Sequence, residues 1–424
     1  MGSTVIAIPD GEEVAIEEKK KFHCSLLPIL SFLKETKTKH DMRRFTHCIK
    51  VGITLVLVAF LSLLDPIYKQ LGENAMWAIM TVVVMFEFYA GATLSKGLNR
   101  GIGTMLGGGL GCLAATIAQE IGGIGNAIVI GTSVFIFSAA ATYSRSIPSI
   151  KRQYDYGAMI FILTFNLVVV SGLHADKVVH LARERLSTIL MGFVVCIFTS
   201  FLFFPVWAGD ELHDSLATKF EELARSIEGF LEEYFKEISK ENQCNPSFHF
   251  SCCKSLLHTK TKDEELAKFA RWEPWHGKFG FSYPWNKYLQ IGEVLRELAT
   301  TILSLKGCLQ SPRQSSETAW QSIKEPCEAA GKSLAWTLRE LGGSIKKMRR
   351  CQTGDLIVSK LKSMRVELSM AMSPSTLGQL ENGEGLAIAN FMFSLMEMVE
   401  KVEELAKEVE ELGELADFHS KQRL

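Results

Sequence analysis

The sequence lacks the marks of several large protein classes. Its 424 residues carry 46 Lys and Arg against 47 Asp and Glu, a formal net charge of -1, so no excess of positive charge calls for a polyanion partner. No basic stripe interleaved with aromatics is present either, and no nucleic acid is expected as a partner. The ten cysteines are scattered and form no disulfide framework. The His-Glu-x-x-His of a metalloprotease and the Gly-x-Ser-x-Gly of a serine hydrolase are both missing. Gly331-Lys332-Ser333 imitates the end of a phosphate-binding loop, but the first glycine of such a loop falls at Pro326 and no strand precedes it. With no catalytic constellation left, the chain is read as not an enzyme, with no cofactor and no metal. Cys252 and Cys253, between His249 and His258, come nearest to a metal site. Zinc ligands are spaced apart and matched by a second pair, so adjacent thiols in a polar stretch are read as reduced cysteines or a palmitoylation site. A secretory signal is not seen, because the first apolar run starts only near Val51, behind a long charged segment. The first membrane helix then serves as its own targeting signal.

What is present is an uneven distribution. Hydrophobic residues at 47% and charged residues at 22% suit a soluble protein, but apolar runs crowd between Val51 and Trp207 while charge is dense on both sides. A bilayer core of about 30 Å needs ~20 apolar residues in a helix. Six candidate spans follow: Cys48 to Leu64, Ala75 to Ala90, Gly101 to Ala118, Ile124 to Tyr143, Tyr156 to Ser171 and Leu186 to Trp207. Several are short, which implies tilting or local thinning of the bilayer. Basic residues orient them. Lys34, Lys37, Lys39, Arg43, Arg44 and Lys50 precede the first span, Lys96 and Arg100 follow the second, and Arg145, Lys151 and Arg152 follow the fourth. The alternate loops carry Lys69, then none, then Lys177, Arg183 and Arg185. The richer set faces the cytosol, and six spans then place both termini there.

After Trp207 the pattern turns to charged amphipathic helix. Between Asp210 and Lys240, Leu216, Phe220, Leu223, Ile227, Phe230, Leu231 and Tyr234 share one face. A polar loop is expected from Glu241 to about Lys262, then helices over Tyr288 to Leu309, Glu317 to Arg350, Asp355 to Met372 and Ile388 to Phe418, some separated by turns at Pro312 and Pro374. In the last, Phe391, Leu395, Met398, Val402, Leu405, Val409 and Leu412 alternate steps of four and three. Such a heptad seam packs either on its own domain or on another subunit. The expected fold is an all-α membrane protein: a cytosolic N-terminal segment over 1–42, a six-helix transmembrane pore domain over 43–208 and a helical cytosolic domain over 209–424.

Two features of the apolar half bear on function. Gly103, Gly107 and Gly111 recur every four residues of the third span and form one smooth face for close helix contact. The Gly-x-Gly they contain has no preceding strand, so it is not a dinucleotide site. Ionisable side chains at membrane depth mark a pathway. Lys96 and Arg100 stand just before the third span, and Arg183 and Arg185 just before the sixth on the outer side, where orientation does not require them. Both pairs would sit at helix N-termini, where the dipole is also positive, and cations there favour anions. Rings of Arg and Lys suit an anion pore; snorkelling to lipid headgroups is the plainer account. Lys151 and Arg152 read as interfacial cations or an inner vestibule. Glu87 is expected to pair with a cation or to hold a proton. Trp272, Glu273, Pro274, Trp275 and His276 form an aromatic cluster read as a turn that anchors the cytosolic helices.

Longer strings carry a resemblance. Asn74-Ala75-Met76-Trp77-Ala78-Ile79-Met80-Thr81-Val82-Val83-Val84, Glu87-Phe88 and Gly91-Ala92-Thr93-Leu94-Ser95-Lys96-Gly97-Leu98-Asn99-Arg100-Gly101 resemble the plant aluminium-activated malate transporter family. So do Tyr154-Asp155-Tyr156-Gly157, Phe161-Ile162-Leu163-Thr164-Phe165 and Phe204-Pro205-Val206-Trp207-Ala208-Gly209, and Trp272-Glu273-Pro274 matches a cytosolic signature of that family. The likeness covers nearly all of Arg43 to about Trp285 and is weaker beyond. It implies a homodimeric anion channel that passes malate, with chloride and nitrate as further anions, and it lays the family's pore cations on Lys96, Arg100 and Arg185. Arg183 and Arg152 are added as candidate pore cations on charge and place alone. The resemblance also implies acids in the outer loops of aluminium-responsive members; this chain has Lys69 and His180 there, with Asp176 the one obvious acid kept, so aluminium activation is not expected. A proton-coupled organic-acid exporter, with Glu87, His174 or His180 carrying protons, stays open as the alternative, and so does a membrane-anchored scaffold or enzyme. The plasma membrane is favoured over the vacuolar membrane.

Overall fold

A computed structural model of the chain describes residues 39–63, 75–172, 178–235, 247–280, 282–305, 317–351, 354–371 and 382–418. Every regular element among them is an α-helix; the one β-type pairing is an isolated bridge between His276 and Phe279. In chain order the helices are α1 (Lys39–Leu63), α2 (Ala75–Met85), α3 (Ala90–Ile121), α4 (Gly123–Ser146), α5 (Pro148–Gly172), α6 (Val178–Leu202), α7 (Ala208–Phe235), α8 (Ser247–Leu257), α9 (Lys260–Ala270), α10 (Trp285–Ser304), α11 (Glu317–Lys347), α12 (Gly354–Ala371) and α13 (Asn382–Leu415). Residues 1–49 and 50–424 separate as two compact units. Of the first, only the opening turns of α1 are described. All that follows concerns the second.

Among the described residues four helices are long and apolar enough to cross a membrane: Met42–Leu63, Ala90–Ile121, Gly123–Ser146 and Pro148–Val170. The two other expected spans fall short as helices. α2 stops after 11 residues, which at about 1.5 Å per residue reaches roughly half of a bilayer core. α6 has 25 residues, and among its described residues the apolar stretch is Leu186–Leu202. The shortness of α2 has a local cause: the helix breaks over residues 86–89, where Glu87 sits and where the Ala90 N–H donates to the Val206 carbonyl at 3.0 Å. The surface of this half is apolar. Ile124 is 84% exposed, Phe135 74% and Ile128 63%, and α4 buries only Ile130 among its 24 residues. Such a helix, apolar on every side, is suited to lipid or to a second subunit rather than to water.

The glycine face of α3 meets α5. A methyl group on Gly107 would stand 2.7 Å from the Phe161 carbonyl oxygen and one on Gly111 3.0 Å from Val168 Cβ, while on Gly103 it would collide with the Gly157 carbonyl. Any side chain larger than hydrogen would push the two backbones apart. The expected close contact is therefore made inside one chain. On the other side of α3, α1, α2 and α6 share a small core of Val58, Ala78, Val82, Phe86, Val195 and Cys196. The Thr54 and Thr199 hydroxyls meet at 2.9 Å across it.

The second half is a helical domain around one continuous core. The amphipathic face expected after Asp210 is present on α7, with Leu216, Phe220, Leu223, Ile227, Phe230, Leu231 and Tyr234 all buried against α11 and its neighbours. The segment expected to be a polar loop instead holds α8 and the start of α9. Phe250, Cys253 and Leu256 of α8 recur every three residues and enter the core, a period masked by the polar residues around them. Burial pushes the Cys253 thiol up to about 11, which suits an inert core cysteine. Asp263 of α9 lies buried between Lys219 of α7 (2.5 Å) and Arg296 of α10 (3.3 Å), which fixes α9 in place.

The heptad seam of α13 is likewise resolved. Phe391, Leu395, Met398, Val402, Leu405, Val409 and Leu412 are each no more than 2% exposed within the single chain, and α13 packs on α10, α11 and α12. Phe391 stacks on Tyr234 at 4.2 Å between ring centres. The seam is core, not a subunit contact. Replacing Leu405 and Val409 by Asp buries two unpaired charges there, at a cost of several kcal/mol, to the order of ~5. The solubilised variant is expected to show a clearly lower melting temperature with an unchanged oligomeric mass by light scattering; loss of mass with unchanged melting would contradict this placement.

Candidate functional site

The break over residues 86–89 sets up a cationic cluster. Glu87 is held by its backbone N–H, which donates to Thr93 Oγ1 at 3.1 Å, and its carboxylate is ion-paired with Lys96 on the second turn of α3. The expected pairing of Glu87 is thus made. One turn on, Arg100 Nη1 donates to the Tyr156 hydroxyl of α5 at 3.1 Å. The Tyr156 ring also lies 6.0 Å from Lys96 Nζ, within reach of a cation–π contact. Arg100 is only 6% exposed, and its Nε has no hydrogen-bond partner among the described residues. The same is true of Thr104 Oγ1. Lys96, Arg100 and Thr104, four residues apart, fall on one helix face, next to Tyr156.

Helix boundaries change how these cations are supported. α3 begins at Ala90, not at Gly101, so Lys96 and Arg100 lie inside it rather than before it. The helix dipole acts only over the first turn, and it does not reinforce them. α6 begins at Val178, so Arg183 and Arg185 are also internal. Arg183 is exposed; the Arg185 side chain lies outside the described residues, as do those of Lys69, His174, Asp176 and His180. Arg152, in the first turns of α5, is 67% exposed and pairs with Glu264 of α9 at 3.0 Å. The structure therefore joins Lys96 and Arg100 and directs Arg152 to the other half of the protein. Tyr156 was not singled out in the sequence, although it lies in the quoted string Tyr154-Asp155-Tyr156-Gly157. Its role depends on the glycine contact that seats α5 against α3.

The Trp272-Glu273-Pro274 turn ties the two halves. Glu273 is 6% exposed. Its carboxylate accepts from the Ala208 N–H at 2.5 Å and the Gly209 N–H at 3.1 Å, and so caps the first turn of α7 from 64 and 65 residues away. These are two of the donors that a helix start leaves without partners. His276 closes the turn: Nδ1 is 2.9 Å from the Pro274 carbonyl, Nε2 is 3.7 Å from Glu273, and the ring stacks on Trp207 at 4.0 Å. The start of α3 rests on the same turn, since a methyl on Gly91 would come within 2.8 Å of Glu273 Cγ. The turn thus also meets the helix that carries Lys96 and Arg100. Among the described residues no group of three or more His, Cys, Asp or Glu is placed to hold a metal ion.

Helices long and apolar enough to cross a membrane, one of them carrying a cationic face, and a capped helical domain define an integral membrane protein. The family model described as "Aluminium activated malate transporter" matches residues 36–381, and the chain belongs to that family. It is 44% identical over 313 residues to Aluminum-activated malate transporter 12 of Arabidopsis thaliana, covering 74% of this chain and 56% of the relative. With transporter 13 of the same plant the identity is 43% over 335 residues, covering 77% and 62%. With transporter 2 it is 37% over 393 residues, covering 91% and 77%. The chain thus spans less than two thirds of the length of the first two relatives.

Glu273→Ala leaves both N–H groups of α7 without their acceptor, which costs about 1 to 2 kcal/mol, so the melting temperature is expected to fall. Glu273→Gln keeps an acceptor and recovers most of the loss. Burial holds the Glu273 carboxyl above the usual carboxylate range. The folded state then binds the proton more tightly than the unfolded one, and stability falls as pH rises from the unfolded value, about 4.3, through the raised one. Melting temperatures measured against pH should show this slope in the parent and a flatter one in Glu273→Gln.

Proposed function

We propose that this chain is a passive anion channel that conducts malate, with chloride and nitrate as further permeant anions, across a plant cell membrane. The observation that carries the reading is Arg100, buried beside Lys96 on one face of α3 with its Nε lacking a partner among the described residues. An unmet charged donor at membrane depth is costly, and a passing carboxylate satisfies it. Malate brings two planar carboxylates, each matched to the fork of a guanidinium. Tyr156 holds that fork through Nη1, while Nε is buried with no partner among the described residues, so an anion reaches it only if the packing around Arg100 opens. The Glu87 carboxylate competes for Lys96, which keeps anion binding weak enough for release, as conduction requires. Arg185, Arg183 and Arg152 extend the cationic path toward its two ends. The family membership and the names of the relatives, malate transporters of Arabidopsis and wheat, support the substrate.

In this reading the pore domain is residues 43–208 with six spans, α2 and α6 being the short ones. Segments 1–42 and 209–424 are cytosolic, and the membrane is the plasma membrane rather than the vacuolar one. Two subunits share the pore, and the nearly unburied α4 supports a further contact with lipid or with the second copy. Aluminium does not activate the channel, because Lys69 and His180 replace acids and Asp176 alone is a poor site for a hard trivalent cation.

Patch-clamp recording under anion substitution tests the reading. The current should reverse at the anion equilibrium potential and ignore an imposed proton gradient; a reversal potential that follows pH would identify the coupled exporter. Arg100→Glu, Lys96→Glu and Arg185→Glu should each cut malate current at least tenfold with surface expression intact. Tyr156→Phe should lower it less, by a few-fold. Normal current from well-expressed Arg100→Glu would sink the pore assignment. External micromolar aluminium at constant pH should leave the current unchanged, and a several-fold rise would refute the argument from Lys69 and His180.

A further inference from the structure

Where the membrane helices meet the cytosolic half, a cavity of about 280 Å³ opens between the start of α5 and the end of α9. Ser149 and Arg152 line it from above, and Glu264, Lys268, Arg271 and Trp272 from below. Its charges do not cancel. Glu264 is taken by Arg152 at 3.0 Å. Lys268 Nζ donates only to the Arg152 backbone carbonyl at 2.6 Å, and Arg271 Nη2 donates to the neutral Asn286 amide at 2.5 Å. Neither forms an ion pair among the described residues. Two cations without an ion pair among the described residues therefore line one polar cavity, and the backbone that presents them is fixed by the buried Lys219–Asp263–Arg296 contact at the other end of α9. Burial, with Arg152 and Lys96 nearby and against the pull of Glu265, keeps the Lys268 ammonium below the usual lysine range.

We infer that this cavity is a second anion site, distinct from the Arg100 face and beside Arg152 at the end of the proposed path, and that it binds a phosphate group. The chemistry favours phosphate over a carboxylate. The donors come from two helices and approach from several directions, which suits a tetrahedral group with three or more acceptor oxygens and up to two charges. A planar carboxylate would meet only one of the cations well. The cavity lies at the cytosolic end of α5, so the phosphate can belong to the headgroup of an inositol lipid or to a soluble phosphate compound. Occupancy would neutralise Lys268 and Arg271, and would tighten the α5–α9 contact that joins the two halves.

The test uses the purified full chain and two arms. In detergent micelles, inositol trisphosphate or ATP is titrated while the melting temperature is followed; in nanodiscs, phosphatidylcholine bilayers with and without phosphatidylinositol 4-phosphate are compared. A saturable rise in melting temperature is expected in at least one arm, and the responding arm names the source. Lys268→Gln with Arg271→Gln should weaken the response roughly tenfold or more, the loss of charge-assisted bonds. Ser149→Asp, at an exposed position, should do the same by repulsion without removing either cation. It decides the matter if the double variant does not fold. No response in either arm, or unchanged affinity in Ser149→Asp, overturns the proposal. So does an equal response to malate that the same variants abolish, which would make the cavity a general carboxylate vestibule. Because binding is read and not current, failure here is distinguishable from failure of the channel reading.

Discussion

The approach of α3 to α5 is the contact on which the arrangement of charge depends. Between these helices there is no gain from removing apolar surface from water if lipid surrounds them, and close packing of backbones has to supply the attraction. Gly103, Gly107 and Gly111 make it available, with Gly157, Phe161 and Val168 set directly against them. The register of that contact decides which residues of α5 face Arg100. It brings the Tyr156 hydroxyl to the guanidinium and the Tyr156 ring toward Lys96. A side chain at any of the three glycines would displace the tyrosine and leave a buried cation with fewer partners.

A second constraint operates where α3 meets α7. The Glu273 carboxylate serves as a cap for α7, yet its stem presses on Gly91 at the start of α3. Trp207 and His276 stack over the same turn. One residue thus touches the helix that carries the cationic face and the first helix of the second domain. Arg152 and Glu264 form a second tie a short distance away. Through these contacts a change in packing below is coupled physically to the position of α3, with no loose linker between.

Much of the architecture was readable as period and length. The amphipathic face of α7 and the last three helices were found within a few residues of their observed ends, because a 3.6-residue apolar repeat is a local property. Errors arose where local signals conflict. α8 was taken for loop, since Cys252, Cys253 and the polar residues around them obscured the step of three in Phe250, Cys253 and Leu256. α2 was drawn too long and α3 too short, because the apolar run Ala75 to Ala90 continues through a helix break that only the Glu87–Lys96 pair and the Ala90–Val206 hydrogen bond reveal.

The sequence by itself determined the division into an apolar half and a charged helical half, the presence of basic side chains among the spans, and the family. Those are properties of composition, period and matching strings. The tertiary structure alone decided what each charge faces. The heptad seam of α13 is as regular as that of a coiled coil, yet its residues are all buried in their own chain, because α10, α11 and α12 supply the opposing surface first. Lys96, Arg100 and Arg152 look equivalent in one dimension. In space Lys96 is paired, Arg100 is buried with a donor to spare, and Arg152 binds a carboxylate of the helical second half. The difference comes from residues 9, 56 and 112 positions away, and only folding brings such distant groups within hydrogen-bond reach.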